Sequence, residues 1–161
     1  MKVSRQLEWT VLKDLCSKLD NLTTHPKNTL AVIVSPDYSS TVGMHVAHHL
    51  SKDGEMLDLA YIDVPYPDEE KQPFIDKFLK SDAIQSYKKY HHVLLIEAEV
   101  ITGGNYTWIR NILKENNIEY VTVTLFQNIH SKYNCDIVGR YYDHNLHELE
   151  FYWEKYNKHW E

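Results

Sequence analysis

The chain has 161 residues and a formal net charge of −6, enough length for one domain with a sizeable core and too little for two full ones. The acidic balance argues against general nucleic-acid binding and against attraction to an anionic membrane, and no apolar run approaches the ~18 residues of a spanning helix. No signal-peptide core opens the chain, and its two isolated cysteines, Cys16 and Cys135, fit a reducing, cytoplasmic setting with neither a disulfide framework nor a zinc knuckle.

Trp9, Leu12, Leu15, Cys16 and Leu19 recur at spacings of three and four, which predicts an amphipathic helix over 4–22 with Ser4 as its N-cap. Residues 29–34 form a short continuous apolar run, the pattern of a strand covered on both faces. Residues 35–40 read as a loop. A helix is expected over 41–52, with Val42, Val46, Ala47 and Leu50 inward and Asp53-Gly54 closing it. A second strand is predicted over 57–62, an exposed acidic loop over 65–73, and a helix around 74–80. A third strand covers 93–96, a helix 106–117, a fourth strand 120–126 and a short fifth strand 136–142. Residues 147–160 read as a helix or as a tail packed by aromatics. Strands separated by helices predict a single α/β domain with a mainly parallel twisted sheet flanked by helices. Its ligands are expected at the carboxyl ends of the strands.

The densest signal is Val93-Leu94-Leu95-Ile96-Glu97-Ala98-Glu99-Val100-Ile101-Thr102-Gly103-Gly104-Asn105: a buried strand, an acidic end, a tight turn and a helix start. Such a turn gathers backbone N–H groups at one spot, which suits a phosphate, and the glycines let a ligand approach closely. Alternation places Glu97 and Glu99 on one face of the strand. Together they would form a two-carboxylate site for ribose hydroxyls or a divalent metal; otherwise Glu99 faces solvent past the strand end. His45 and His49 lie four apart on a predicted helix, a spacing that can hold a transition metal, yet no third ligand is evident and a solvated polar face is the expected role. Tyr141, Tyr142, Phe151, Tyr152, Trp153, Tyr156 and Trp160 are expected to close the core or to make a subunit contact, with Tyr152 and Trp153 best suited to touch a flat ligand.

The Glu97–Asn105 stretch resembles the PRPP-binding signature of the type I phosphoribosyltransferases, and the rest of the chain is most similar to their xanthine–guanine and hypoxanthine (purine) branch. A strand ending Ile33-Val34-Ser35 leads towards a helix as that branch's pyrophosphate-loop strand does. Asp63-Val64-Pro65-Tyr66 stands where its mobile hood opens, and Phe151-Tyr152-Trp153-Glu154 is similar to its terminal pattern. The resemblance implies a core over about 28–142, a hood over about 63–90 and an aromatic C-terminal segment over 146–161. It implies that PRPP is held with Mg2+: Thr102, Gly103, Gly104 and Asn105 on the 5′-phosphate and Glu97 on ribose and, through water, on the metal, while Glu99, on the same strand face, would partly compensate for the second acid that Ala98 replaces. Ser35, Asp37, Tyr38 and Ser39 would form the pyrophosphate loop, and Phe126, Tyr152 and Trp153 would face the base. A homodimer is the implied assembly.

The chain departs from the family pattern at several positions. Ala98 replaces the second acid, Glu99 replaces an aliphatic, Asn105 replaces a closing hydroxyl residue, and Pro36-Asp37-Tyr38 replaces a basic, glycine-bearing loop. Phe126 and Gln127 stand where the purine branch has a lysine, and Glu148 where it has a stacking aromatic. Two functions follow: transfer of phosphoribosyl from PRPP to a nucleobase, or a catalytically silent module that binds a nucleotide, a sugar phosphate or a protein partner. A phosphosugar enzyme with His45 and His49 as ligands is a third.

Overall fold

The computed structural model describes residues 2–22, 26–51, 53–64, 71–79, 81–145 and 149–153. Five strands form one all-parallel sheet: β1 (Thr29–Val34), β2 (Asp58–Ile62), β3 (His92–Val100), β4 (Tyr120–Asn128) and β5 (Ile137–Tyr142), in the spatial order β2-β1-β3-β4-β5. The apolar runs 30–34 of β1 and 93–96 of β3 are fully buried because helices cover both faces. On one face lie α1 (Arg5–Leu19) and α2 (Pro36–Leu50), packed on Ala31, Leu94, Ile96 and Val123. On the other, α3 (Lys71–Leu79), α4 (Asp82–Tyr87) and α5 (Gly104–Glu115) pack on Leu30, Val32, Val93 and Leu95. No helix among the described residues is long and apolar enough to cross a membrane.

Local chemistry accounts for the boundaries. Ser4 caps α1 by accepting the Leu7 N–H at 3.2 Å, and Val11, Leu12, Leu15 and Leu19 bury its inner stripe. The helix expected over 41–52 instead starts at Pro36, so the predicted loop over 35–40 does not exist. Ser35 makes the whole turn by itself in a left-handed conformation (φ 51°), and Pro36 opens the helix where its missing N–H costs nothing. Strands β3 and β4 run further than their apolar cores, to Val100 and Asn128. Helix α3 begins at Lys71, ahead of Phe74, and α4 is a separate short helix in what the sequence presents as a mixed stretch. Phe74, Phe78, Ile84 and Tyr87 tie this part of the hood segment to the sheet, while 65–70 lie outside the described residues.

The chain returns from β4 to β5 through 129–136 with no helix. Both ends of the buried Gln127 side chain hold that return: Nε2 donates to the Tyr133 carbonyl at 2.8 Å and Oε1 accepts the Cys135 N–H at 3.0 Å. Residues 149–153 are not helical, and 154–161 lie outside the described residues. The Val3 N–H donates to the Glu150 carbonyl, so this segment lies alongside the chain's N-terminal stretch.

Candidate phosphate site at the carboxyl end of the sheet

The order of the strands reverses between β1 and β3, so the crevice beyond their carboxyl ends is the place where such sheets take ligands. Ser35 lies at one lip and Thr102–Asn105 at the other. Gly103 caps α5 with φ 82°, and no side chain caps that helix. The first helical bond is Thr107 N–H to the Gly103 carbonyl at 3.0 Å, which leaves the N–H groups of Asn105 and Tyr106 without a partner from within the helix. The Gly104 N–H has only the Thr102 hydroxyl, at 3.4 Å. These groups and the helix dipole make a cradle for an anion.

The turn is braced from behind by a loop that sequence reasoning missed. A Cβ on Gly103 would run into the Cβ of Tyr133, and the Lys132 N–H donates to the Thr102 carbonyl at 3.3 Å. The signal available was Tyr133, an aromatic in an otherwise polar connection. Gly104, by contrast, has room for a side chain.

Glu97 sits beneath the crevice, only 8% exposed, and its Oε1 accepts Asn105 Nδ2 at 2.8 Å. Asn105 also reaches the Ser35 hydroxyl at 3.5 Å, linking the ends of β1, β3 and α5. Burial pushes the Glu97 carboxyl group up to about 8; the Asn105 hydrogen bond opposes this and the Glu99 charge adds to it. Glu99 does not join Glu97. Its carboxylate accepts the Tyr142 hydroxyl and, at 3.1 Å, the Leu149 N–H, so it fastens the C-terminal segment instead of facing solvent or forming a shared two-acid site.

The other expected site residues divide in the same way. Ser39 is fully buried and accepts the Ala98 N–H at 3.0 Å, while Asp37 and Tyr38 are exposed on the first turn of α2. The four residues expected to form a pyrophosphate loop are therefore a helix start. Phe126 is buried against Phe151 (ring centroids 5.8 Å apart), and Trp153 stacks on Phe151 at 4.7 Å, so Phe126 faces the core and not a base. Tyr152 lies under the Arg5 guanidinium, 5.6 Å from it, and with Trp153, Trp9 and Thr41 lines a cleft of about 240 Å³. His45 contacts the Thr41 carbonyl and His49 contacts Asp20, each within its own surroundings.

Magnesium, which the resemblance implies, does not fit these side chains. The acid in place is buried and already hydrogen-bonded, and no group of three or more acidic, histidine or cysteine residues that could hold a metal occurs among the described residues.

An all-parallel sheet in this order is a doubly wound α/β arrangement, and its likeness to solved structures shows the type I phosphoribosyltransferase fold. The chain is similar to a purine phosphoribosyltransferase from Pyrococcus horikoshii (TM-score 0.63, 13% identity, 96% of this chain and 93% of that one). It is also similar to a Helicobacter pylori xanthine-guanine-hypoxanthine phosphoribosyltransferase (0.59, 12%, 98% and 95%). A third similar structure is a hypothetical Neisseria gonorrhoeae protein with bound ppGpp (0.65, 11%, 98% and 94%). No protein-family profile matches the sequence, and no curated protein matches it.

Proposed function

We propose that the chain is a phosphoribosyltransferase-like protein that binds a phosphorylated pentose ligand, a nucleotide or a sugar phosphate, by its 5′-phosphate at the N-terminus of α5. The observation that carries this reading is the uncapped α5 turn opening on the β1–β3 crevice. The bound ppGpp of the Neisseria neighbour and the GMP held by a Leishmania tarentolae neighbour support a nucleotide as the ligand. The two free cysteines agree with a cytoplasmic location. Gly104→Asp tests the site. Gly104 accepts a side chain and an acid suits a first helical turn, so stability should hold while a carboxylate occupies the cradle. GMP affinity by calorimetry should fall about tenfold or more. Unchanged affinity with an unchanged melting temperature sinks the reading.

A second reading, transfer of phosphoribosyl from PRPP to a nucleobase as in purine salvage, is favoured by Glu97, a buried acid with raised proton affinity where the resemblance puts a ribose-binding acid. Pyrophosphate release from PRPP with a panel of bases, abolished by Gly104→Asp, would support it.

A further inference from the structure

We infer that this site takes a phosphomonoester without a divalent cation, so that its ligand class is the nucleoside 5′-monophosphate or pentose 5-phosphate and not a metal-complexed diphosphate. The inference rests on the phosphate reading above and specifies its ligand. Magnesium prefers accessible charged oxygens and keeps several of its waters. Glu97 is only 8% exposed and its Oε1 already accepts Asn105 Nδ2 at 2.8 Å, which leaves it little surface to present to a hydrated cation.

The neighbouring position cannot supply the missing acid. Ala98 is 1% exposed in the layer beneath α2, and its N–H is held by Ser39. Consecutive strand residues point to opposite faces, so any side chain at 98 leaves the Glu97 face and enters packed core.

The opposite lip cannot cradle a diphosphate either. Pro36 has no N–H, and the N–H groups of Tyr38 and Ser39 both donate to the Ser35 carbonyl at 3.1 Å. The remaining group in that turn belongs to Asp37, whose own charge repels phosphate. Among the described residues the crevice thus has one anion cradle, at α5, and none across from it.

Calorimetric titration of the full chain with ribose 5-phosphate, GMP and PRPP, each with magnesium chloride and with EDTA, tests this. The expected result is that both monophosphates bind with affinities equal within about twofold in the two conditions, and that magnesium leaves PRPP no tighter. A gain of about tenfold or more for PRPP on adding magnesium overturns the inference while leaving the phosphate reading intact. If Asp37→Asn then removes that gain, Asp37 is the metal's anchor. Failure of all three ligands in both conditions overturns the phosphate reading and this inference together.

Discussion

Gly103 and Gly104 are adjacent and look alike in the sequence, yet their roles differ. Gly103 holds φ 82° with Tyr133 against it, so Gly103→Ala is both strained and crowded and should cost about 2–4 kcal/mol in urea unfolding. Gly104 lies in the helix with open space beside it, and Gly104→Ala should be neutral or stabilise by up to about 1 kcal/mol. Equal losses would mean the turn is not built as described. Glu97 gives a pH signature. Its carboxyl group is pushed up to about 8 in the folded chain, against about 4.3 for an unfolded one. The folded state then binds more protons than the unfolded state between those values, so this group's contribution to stability falls as pH rises from about 4 to 8. Glu97→Gln keeps an acceptor for Asn105 and removes the titration. Its melting temperature should exceed wild type above about pH 8 and vary less across that window; a parallel profile would contradict the assignment. The sequence displayed the Thr-Gly-Gly turn and the acid before it. It could not display the Asn105 side chain folding back onto Glu97, a contact made by the tertiary arrangement of β3 and α5.

At the scale of elements, helices and strands with strong periodicity were readable and their ends were not. Pro36 reads as punctuation because proline usually ends regular structure, yet at the first helical position it starts it. Glu97 and Glu99 read as the end of a strand because a charge inside a sheet is costly. They are tolerated because burial holds Glu97 protonated near neutral pH with Asn105 hydrogen-bonded to it, and Tyr142 and Leu149 engage Glu99. Glu99 therefore works as a clasp on the C-terminal segment, aided by Glu8, which accepts the Tyr152 N–H. Glu99→Ala removes the acceptor of the Leu149 N–H and of the Tyr142 hydroxyl. Amide exchange at 149–151 should accelerate about tenfold or more, with about 1–3 kcal/mol lost overall. Acceleration spread evenly over the sheet would show that the clasp is not local.

For the whole molecule, continuous apolar runs announced strands covered on both faces, and the alternation with helices announced a parallel sheet. The strand order is carried by long-range pairing, which no local pattern in the sequence displays. The C-terminal aromatics were expected to close the core or meet a subunit, and Phe151 and Trp153 take the first role on Phe126. Central placement should show in hydrogen exchange: β1, β3 and β4, paired on both sides, should be the slowest, and β2 faster than any of them. A protected β2 would point to a partner along its outer side.

That outer side also bears on how the protein behaves in the test tube. Among the described residues β2 pairs only with β1, so none of them pairs with the far row of its peptide groups, and Tyr61 stands exposed on this strand. Asp58 at its start and Asp63 just after its end are the charges that discourage a second copy from adding on. Neutralising both with asparagine should turn a solution stable on storage into one that forms β-rich particles as it is concentrated. The acidic surface that argued at the outset against nucleic acid has, along this margin, the separate duty of keeping molecules apart.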